Sequence, residues 1–269
     1  MCCNDSPKIQ HTGIMPRAHR LKVQGGLFHL THRCHNRQFL LKFARDRDTY
    51  RALMRRKLKR FEVSLLDYCV TCNHVHLLVD AEDRLQVSGF VREVAGEFAR
   101  QYNKRKRRIN AVWGDNFHAT LVDNGCYLWR CLRYIELNMV RCWKVSHPRE
   151  WEWVGYHEIM GTKRRYRVLD LERLCWRLGT TSLREVRANL EATLAETLSS
   201  KNQMKREACW TESLAIGSPE FIRQVEPLIL SRRETEIVED KDLGLWVLRE
   251  TELPYSSKIA AENAANAQK

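Results

Sequence analysis

Short segments in which apolar and polar residues alternate are interleaved with longer segments in which apolar residues recur every three or four positions. Alternation is typical of strands that bury one face, and the longer period is typical of amphipathic helices. Strands are predicted at residues 24–31, at residues 63–79 as a pair with a tight link near Cys72-Asn73, and at residues 117–123. Helices are predicted at residues 45–61, 83–108 and 127–143.

The order strand–helix–strand–strand–helix–strand–helix is that of a ferredoxin-like split βαβ layer. We therefore predict an α+β fold, with an antiparallel sheet and helices on one side, over residues 17–145. After Pro148 the pattern is mostly helical, at residues 168–178, 181–199 and 219–231. Residues 146–233 are thus predicted to form a helical C-terminal region. Polar residues without periodicity predict a flexible leader at residues 1–16 and a weakly packed or disordered tail at residues 234–269.

The charge of the chain is strongly positive and unevenly distributed. The chain holds 46 Lys and Arg against 33 Asp and Glu, and residues 1–200 account for 36 of the basic and 21 of the acidic side chains. A folded region with this excess suggests a polyanionic partner such as nucleic acid, although a solvated basic face needs no partner. The candidate contacts to nucleic acid are Arg55, Arg56, Lys59, Lys104, Arg105, Lys106, Arg107, Arg108 and Arg141.

The ten cysteines are scattered, and several fall inside apolar helical or strand patterns. There is no apolar N-terminal segment and no apolar run near 18 residues, so we expect a cytoplasmic protein whose cysteines are reduced and pack as small hydrophobes. Cys69 and Cys72 form a C-x-x-C beside two histidines, which invites a zinc interpretation. Residues three apart in a strand point to opposite faces, however, so this interpretation requires a break in the strand.

Two histidines, His74 and His76, open an apolar run in the stretch CNHVHLLV. Because residues i and i+2 of a strand face the same way, the two imidazoles project together and could bind a divalent metal ion. The alternative is a pair of structural histidines that are satisfied by hydrogen bonds. The predicted helix 127–143 carries Tyr134 and Asn138 at positions i and i+4 of one face, so a phenol and an amide oxygen could approach a metal ion on the sheet.

Five segments occur together in an order and spacing that resemble the HUH single-tyrosine transposases, in particular the REP-associated tyrosine transposases of the IS200-like family. They are GGLFHLTHRCHNRQ (25–38), CNHVHLLV (72–79), VWGDNFHATLVD (112–123), YLWRCLRYIELNMVR (127–141) and WEWVGYHEIMG (151–161). The chain departs from the family pattern at Cys34, Cys72 and Met139, and none of these departures replaces a chemical group of the motif.

The resemblance implies a role for each of four residues. His74 and His76 would bind the metal ion, Asn138 would be its third ligand, and Tyr134 would be the nucleophile. The cofactor would be Mg²⁺ or Mn²⁺, and the partner would be single-stranded or hairpin DNA. A monomer or homodimer would cleave and rejoin the strand through a 5′-phosphotyrosine, and the helical C-terminal region would be a DNA-binding extension.

Two other functions fit parts of the sequence. A protein derived from a transposase could bind hairpin DNA without cutting it, although such a binder has no need of Tyr134. A regulator stabilised by zinc could use Cys69, Cys72 and the two histidines. Three aromatic residues near basic ones are candidates for stacking on unpaired bases or for packing alone, namely Tyr102, Trp113 and Phe117. Four further histidines are interpreted as structural or DNA-facing, namely His29, His32, His35 and His118.

Overall fold

The structure is a computed structural model that describes residues 20–21, 25–114, 116–200, 205–230, 234–241 and 243–251. Its strands are β1 (Arg20–Leu21), β2 (Gly26–Arg33), β3 (Val63–Val70), β4 (His74–Ala81), β5 (His118–Val122), β6 (Ala215–Gly217), β7 (Ile229–Leu230), β8 (Thr235–Asp240) and β9 (Leu245–Glu250). Its helices are α1 (Ala44–Leu58), α2 (Arg84–Lys106), α3 (Cys126–Glu136), α4 (Asn138–Arg141), α5 (Tyr156–Ile159), α6 (Leu171–Arg177), α7 (Leu183–Ser199), α8 (Cys209–Glu212) and α9 (Pro219–Val225). None of the described helices combines the length and apolar content that crossing a membrane requires.

Seven strands form one sheet in the order β3-β4-β2-β5-β6-β9-β8, and β1 pairs separately with β7. Each of the neighbouring strands in β3-β4-β2-β5 is antiparallel to the next, and the chain passes through them in the order β2-α1-β3-β4-α2-β5. This is the split βαβ arrangement, so the predicted ferredoxin-like α+β class is confirmed. Strand β4 lies between β2 and β3, with His76 opposite Thr31 of β2 and Cys69 of β3.

Different helices cover the two faces of the sheet. On one face His32 of β2 stacks on Trp113, which packs in turn against residues of α1 and α2. On the other face His29, also of β2, meets the ring of Tyr134 in α3. The prediction of helices on one side therefore describes α1 and α2 but not α3. Helices pack on both faces of the sheet, and the side chains of β2, β3 and β4 are therefore buried along almost the whole length of each strand.

The sheet also continues into the C-terminal part of the chain. Strand β6 pairs in parallel with β5, and β9 and β8 follow it as antiparallel neighbours. The prediction of a weakly packed tail is wrong for Thr235–Asp240 and Leu245–Glu250, which form β8 and β9 and in which Leu245, Val247 and Leu248 are buried. Residues 146–233 are likewise not only helical, because they supply β6. Strand β6 has only three residues, and the apolar positions of β8 (TEIVED) and β9 (LWVLRE) do not alternate strictly, so the sequence gives little strand signal. The predicted leader at residues 1–16 and the remainder of the tail at residues 252–269 lie outside the described part of the chain.

The single helix predicted over residues 127–143 is two helices. Helix α3 ends at Glu136 and α4 begins at Asn138, because Leu137 between them has φ −81° and ψ 4°. Helix α4 is followed by Trp143 in the left-handed region, at φ 55°. The apolar pattern runs through the break, so the sequence alone predicts one continuous helix. The break lies between Tyr134 and Asn138 and sets their relative orientation.

Candidate metal and nucleophile site

His74 and His76 lie side by side at the start of β4, on the face of the sheet that α3 covers. Their ring centroids are 4.8 Å apart and their planes meet at 83°. His76 is 1% exposed and His74 is half-buried. The alternation of side chains along the strand thus brings the two imidazoles together, as the sequence predicts.

A local turn orients His74. The hydroxyl of Thr71 donates to the carbonyl oxygen of His74 at 2.8 Å, and Nδ1 of His74 donates to Oδ1 of Asn73 at 2.7 Å. Because a neutral imidazole carries a single N–H, this bond leaves Nε2 of His74 with a free lone pair. A free lone pair is what a metal ligand requires.

His76 is oriented by residues distant in the chain. Its Nδ1 lies 2.9 Å from Nε2 of His29, and Nδ1 of His29 lies 2.8 Å from the carbonyl oxygen of Trp210 in α8. On its other side, Nε2 of His76 accepts a hydrogen bond of 2.9 Å from Nδ2 of Asn138. Sequence reasoning misses this role of His29, because Trp210 is 181 residues away and no local signal connects the two.

Asn138 fits the role of a third metal ligand. Its side chain is 6% exposed, and its Oδ1 is buried without a hydrogen-bond partner. A buried carbonyl oxygen without a partner is unusual in folded proteins, and such an oxygen has lone pairs with which it could bind a cation. Two imidazole nitrogens and one amide oxygen form a neutral donor set that suits a divalent cation. The described residues contain no group of three His, Cys, Asp or Glu side chains that could hold a metal ion, so this donor set depends on the amide.

Tyr134 packs against the histidines through the edges of their rings. The centroid of its ring lies 5.8 Å from that of His29 and 5.8 Å from that of His76. The ring of Trp210 lies 5.9 Å away, and the guanidinium carbon of Arg141 lies 4.1 Å from the centroid of the Tyr134 ring. With 3% of its surface exposed, Tyr134 is enclosed between the sheet, α8 and α4.

The ionisation of these groups follows from their burial. Burial raises the pKa of Tyr134 above its ordinary value, while the positive charges of Arg141 and Arg206 act in the opposite direction. Burial lowers the pKa of His29 and of His74 to about 3, and lowers the pKa of His76 well below its ordinary value. At neutral pH the phenol is therefore protonated and the imidazoles are neutral, so each imidazole has a lone pair on one ring nitrogen.

The predicted nucleic-acid contacts on α1 lie away from the histidine pair. Helix α1 packs on the opposite face of the sheet, where Arg55 lies 4.9 Å from the ring of Tyr166 and Arg56 forms an ion pair with Glu97. Lys59 is exposed at the end of the same helix. Their contact with nucleic acid stays a prediction, and the structure does not bring them to the site.

The basic run at the end of α2 lies at the same end of the sheet as His74. The loop between β2 and α1 connects them, because the N–H of Leu41 donates to the carbonyl of Cys72 at 2.9 Å and Nζ of Lys106 lies 4.8 Å from the ring of Phe43. Within the run, Lys104, Lys106 and Arg107 are exposed, Arg105 is paired with Asp46, and Arg108 lies 5.7 Å from the ring of Tyr102. Arg141 is not part of this surface, since it packs on Tyr134.

The exposed aromatic residues differ from those that the sequence suggests. Trp113 and Tyr102 are buried in the core between the sheet and α2, so packing is their role, and Phe117 is partly buried. Phe39 and Phe43, in the loop after β2, are instead 66% and 55% exposed. Their exposure could have been inferred from their position in the basic segment RCHNRQFLLKF (33–43), which has no helical or strand period.

Part of the chain matches a known protein family. Residues 22–138 match the family model described as "Transposase IS200 like", and the matched segment contains His74, His76, Tyr134 and Asn138. No curated protein matches the chain.

Two solved structures are similar to parts of the chain. A REP-associated tyrosine transposase bound to a REP hairpin is 17% identical with a TM-score of 0.46, over 53% of this chain and 83% of that one. A proposed transposase from Deinococcus radiodurans R1 is 18% identical with a TM-score of 0.32, over 37% of this chain and 80% of that one.

Proposed function

We propose that this chain, which belongs to the IS200-like transposases through residues 22–138, cleaves and rejoins single-stranded DNA with Tyr134 as the nucleophile. The metal ion would be Mg²⁺ or Mn²⁺, held by His74, His76 and Asn138. The observation that carries the proposal is the convergence of these groups from three elements. The ring of Tyr134 lies 5.8 Å from that of His76, and the amide of Asn138 is hydrogen-bonded to the same imidazole.

The reaction is a displacement at phosphorus. The phenolic oxygen of Tyr134 loses its proton to water, attacks the phosphorus atom and forms a phosphotyrosine ester with the 5′ side of the break. The bond from phosphorus to the 3′ oxygen breaks, and that oxygen leaves with the electron pair and takes a proton to become a 3′-hydroxyl. Rejoining is the reverse reaction, in which a 3′-hydroxyl attacks the phosphotyrosine. A bound divalent cation would polarise the phosphate and offset the negative charge that develops on it.

The reaction also requires that the phenol of Tyr134 can lose its proton. An ordinary tyrosine has a pKa near 10, and burial raises that of Tyr134 further. Arg141, 4.1 Å from the ring centroid, and Arg206 are the positive charges that favour the phenolate. We infer that Arg141 stabilises the ionised nucleophile and does not serve as a phosphate contact in this arrangement.

The path of the DNA is inferred from charge and exposure. Lys104, Lys106 and Arg107 offer exposed positive charge near the start of β4, and Phe39 and Phe43 offer exposed rings in the loop that is hydrogen-bonded to the turn before His74. Basic side chains that follow the backbone and aromatic rings that stack on bases are the usual means of binding a single strand. We infer that the DNA strand passes over these side chains from the end of α2 to the histidine pair.

Adduct formation tests the proposal. Labelled hairpin and single-stranded oligonucleotides are incubated with the protein and Mn²⁺, and a denaturing gel is examined for a protein band that carries the label. We expect such a band for the wild type and for Tyr127→Phe, a matched control on the same helix, and no band for Tyr134→Phe. Labelled adduct with Tyr134→Phe would disprove the assignment of the nucleophile.

The second candidate is a protein that binds hairpin DNA without cutting it. The enclosure of Tyr134, which is 3% exposed beneath Trp210, favours this candidate because a phosphate needs access to the phenol. The same assay separates the two functions. A wild-type protein that binds the oligonucleotides in a native gel but forms no adduct with Mg²⁺ or Mn²⁺ would be a binder.

A further inference from the structure

We propose that His29 is a positioning residue that fixes the tautomer and the direction of His76, and that the backbone of Trp210 in the C-terminal part of the chain fixes His29. This inference rests on the proposed function, because the lone pair that it presents is the one assigned to the metal ion. It extends the site from the IS200-like segment at residues 22–138 to α8, which lies outside that segment.

The chain of hydrogen bonds has only one consistent direction. A carbonyl oxygen only accepts, so Nδ1 of His29 must donate to the oxygen of Trp210, 2.8 Å away. A neutral His29 then has a lone pair on Nε2, which accepts the N–H of Nδ1 of His76 at 2.9 Å. Nε2 of His76 is consequently unprotonated, which agrees with its hydrogen bond from Nδ2 of Asn138. Each imidazole donates from Nδ1 and presents a lone pair at Nε2.

The two rings are also held parallel. The planes of His29 and His76 meet at 9° and their centroids are 5.1 Å apart, and the exposed fractions of the two residues are 0% and 1%. Thr31 adds its Oγ1 at 3.3 Å from Nδ1 of His76. His76 therefore cannot turn its lone pair away from Asn138 without breaking buried hydrogen bonds, whose loss is costly. Groups that bind the second nitrogen of a metal-bound histidine act in this way in metalloproteins.

His74 and His76 are oriented by different kinds of hydrogen-bond partner. His74 is oriented by its sequence neighbours Thr71 and Asn73, so its geometry is present wherever the turn forms. His76 has no such local partner and depends on β2 and on α8.

The carbonyl of Trp210 is itself held in place from two directions. Nε1 of Trp210 donates to Oε2 of Glu207 at 2.6 Å, and Glu207 also accepts from Arg133 of α3 at 3.2 Å. Thr120 of β5 donates to the carbonyl of Trp210 at 3.2 Å. Helix α8 is thereby connected both to the sheet and to the helix that carries Tyr134. The C-terminal region thus supports the metal site and is not only an extension for binding DNA.

The test uses the full-length protein labelled with ¹⁵N-histidine and a His29→Phe variant, which keeps an aromatic ring but removes both hydrogen bonds. Long-range ¹H–¹⁵N spectra of the metal-free protein report the tautomer of His76. We expect the wild type to show protonation at Nδ1 only, and His29→Phe to show a mixture or the opposite tautomer. The affinity for Mn²⁺, measured by electron paramagnetic resonance, should fall about 10–100-fold in the variant.

Two further variants make the result interpretable. His32→Phe alters the neighbouring histidine on the opposite face of β2 and should leave both the tautomer of His76 and the affinity for Mn²⁺ within about twofold of the wild type. His29→Gln, whose amide can accept the N–H of His76, should restore part of the Mn²⁺ affinity, and it also serves if His29→Phe does not fold.

The role of His29 and the metal site itself are tested by different outcomes. A folded His29→Phe or His29→Gln variant with an unchanged His76 tautomer and unchanged Mn²⁺ affinity would refute the role of His29. A wild type that shows the expected tautomer but binds no Mn²⁺ would instead refute the proposed metal site.

Discussion

Nε2 of His76 and Nδ2 of Asn138 are joined by a hydrogen bond of 2.9 Å, although they belong to a strand and a short helix 62 residues apart. This bond connects the histidine pair on β4 to α4, the short helix that follows the one carrying Tyr134. It also leaves the other polar atom of the amide, Oδ1, buried and unpartnered. The two side chains are therefore joined directly, with Nε2 of His76 as the acceptor and the amide N–H of Asn138 as the donor.

Removal of the amide should affect metal binding more than folding. Asn138→Ala deletes Oδ1 and should reduce adduct formation at least about 100-fold while the melting temperature changes by only a few degrees. Asn138→Asp keeps an oxygen at this position and should retain more Mn²⁺ binding than the alanine variant. The measurements are the adduct yield as a function of Mn²⁺ concentration and the thermal unfolding curve. Equal Mn²⁺ dependence in wild type and Asn138→Ala would rule out Asn138 as a ligand.

Loss of the charge beside the nucleophile should change the pH dependence of cleavage. Arg141 acts to lower the pKa of Tyr134, so Arg141→Gln should raise that pKa and move the rise of the cleavage rate to higher pH. At a fixed pH below the pKa, each unit of increase lowers the phenolate fraction about tenfold. The rate of adduct formation should be measured between pH 6 and about 10, with Lys144→Gln as the control for a nearby charge. A profile that coincides with the wild type would contradict this role.

The exposed loop after β2 should contribute to binding a single strand. Phe43→Ala should weaken the binding of an unpaired oligonucleotide by about 1–3 kcal/mol, the usual contribution of a ring that stacks on a base. Leu85→Ala, which removes a 73% exposed side chain from the start of α2, is the matched control and should have no effect. Fluorescence anisotropy at constant salt is the measurement. Equal losses in the two variants would show that Phe43 is not a stacking residue.

The ion pairs between β4 and α6 should make the protein less stable in acid. Burial acts to raise the pKa of Asp80, but the hydrogen bonds from Arg177 and Arg173 outweigh it and hold the pKa below its ordinary value. Because the folded protein binds this proton less well than the unfolded chain, the stabilisation is complete above the unfolded pKa, near 4, and is lost as the pH falls through the lower folded value.

Asp80→Asn should therefore lower the free energy of unfolding by about 1–3 kcal/mol at pH 7 and much less near pH ~2. Urea unfolding at the two pH values measures the difference. Glu172→Gln, which alters an exposed carboxylate on α6, should show no comparable change. A destabilisation of Asp80→Asn that is the same at both pH values would mean that its cause is packing and not charge.

Much of the fold and part of the site follow from local patterns. The alternation in β2, β3 and β4 and the longer period in α1 and α2 gave the split βαβ order, because each pattern extends over enough residues to be recognised. The common direction of His74 and His76 follows from strand geometry alone. The helix pattern that carries Tyr134 was also evident, although its break at Leu137 was not.

The remaining features depend on contacts that no local pattern encodes. Strands β6, β8 and β9 are short and pair with the rest of the sheet, so Thr235–Asp240 and Leu245–Glu250 form strands although their composition is like that of a tail. Neither Trp113 nor Phe43 lies in a segment with a clear helical or strand period, and only packing decides that the first is buried and the second is exposed.

The sequence by itself determined that two imidazoles, a phenol and an amide would lie on neighbouring elements of an α+β fold. Only the tertiary structure decided which atoms they present to one another. The direction of His76 is set by His29 and by a carbonyl oxygen 181 residues further along the chain. Periodicity specifies which face a side chain occupies, whereas a hydrogen bond between distant segments forms only when the whole chain has packed.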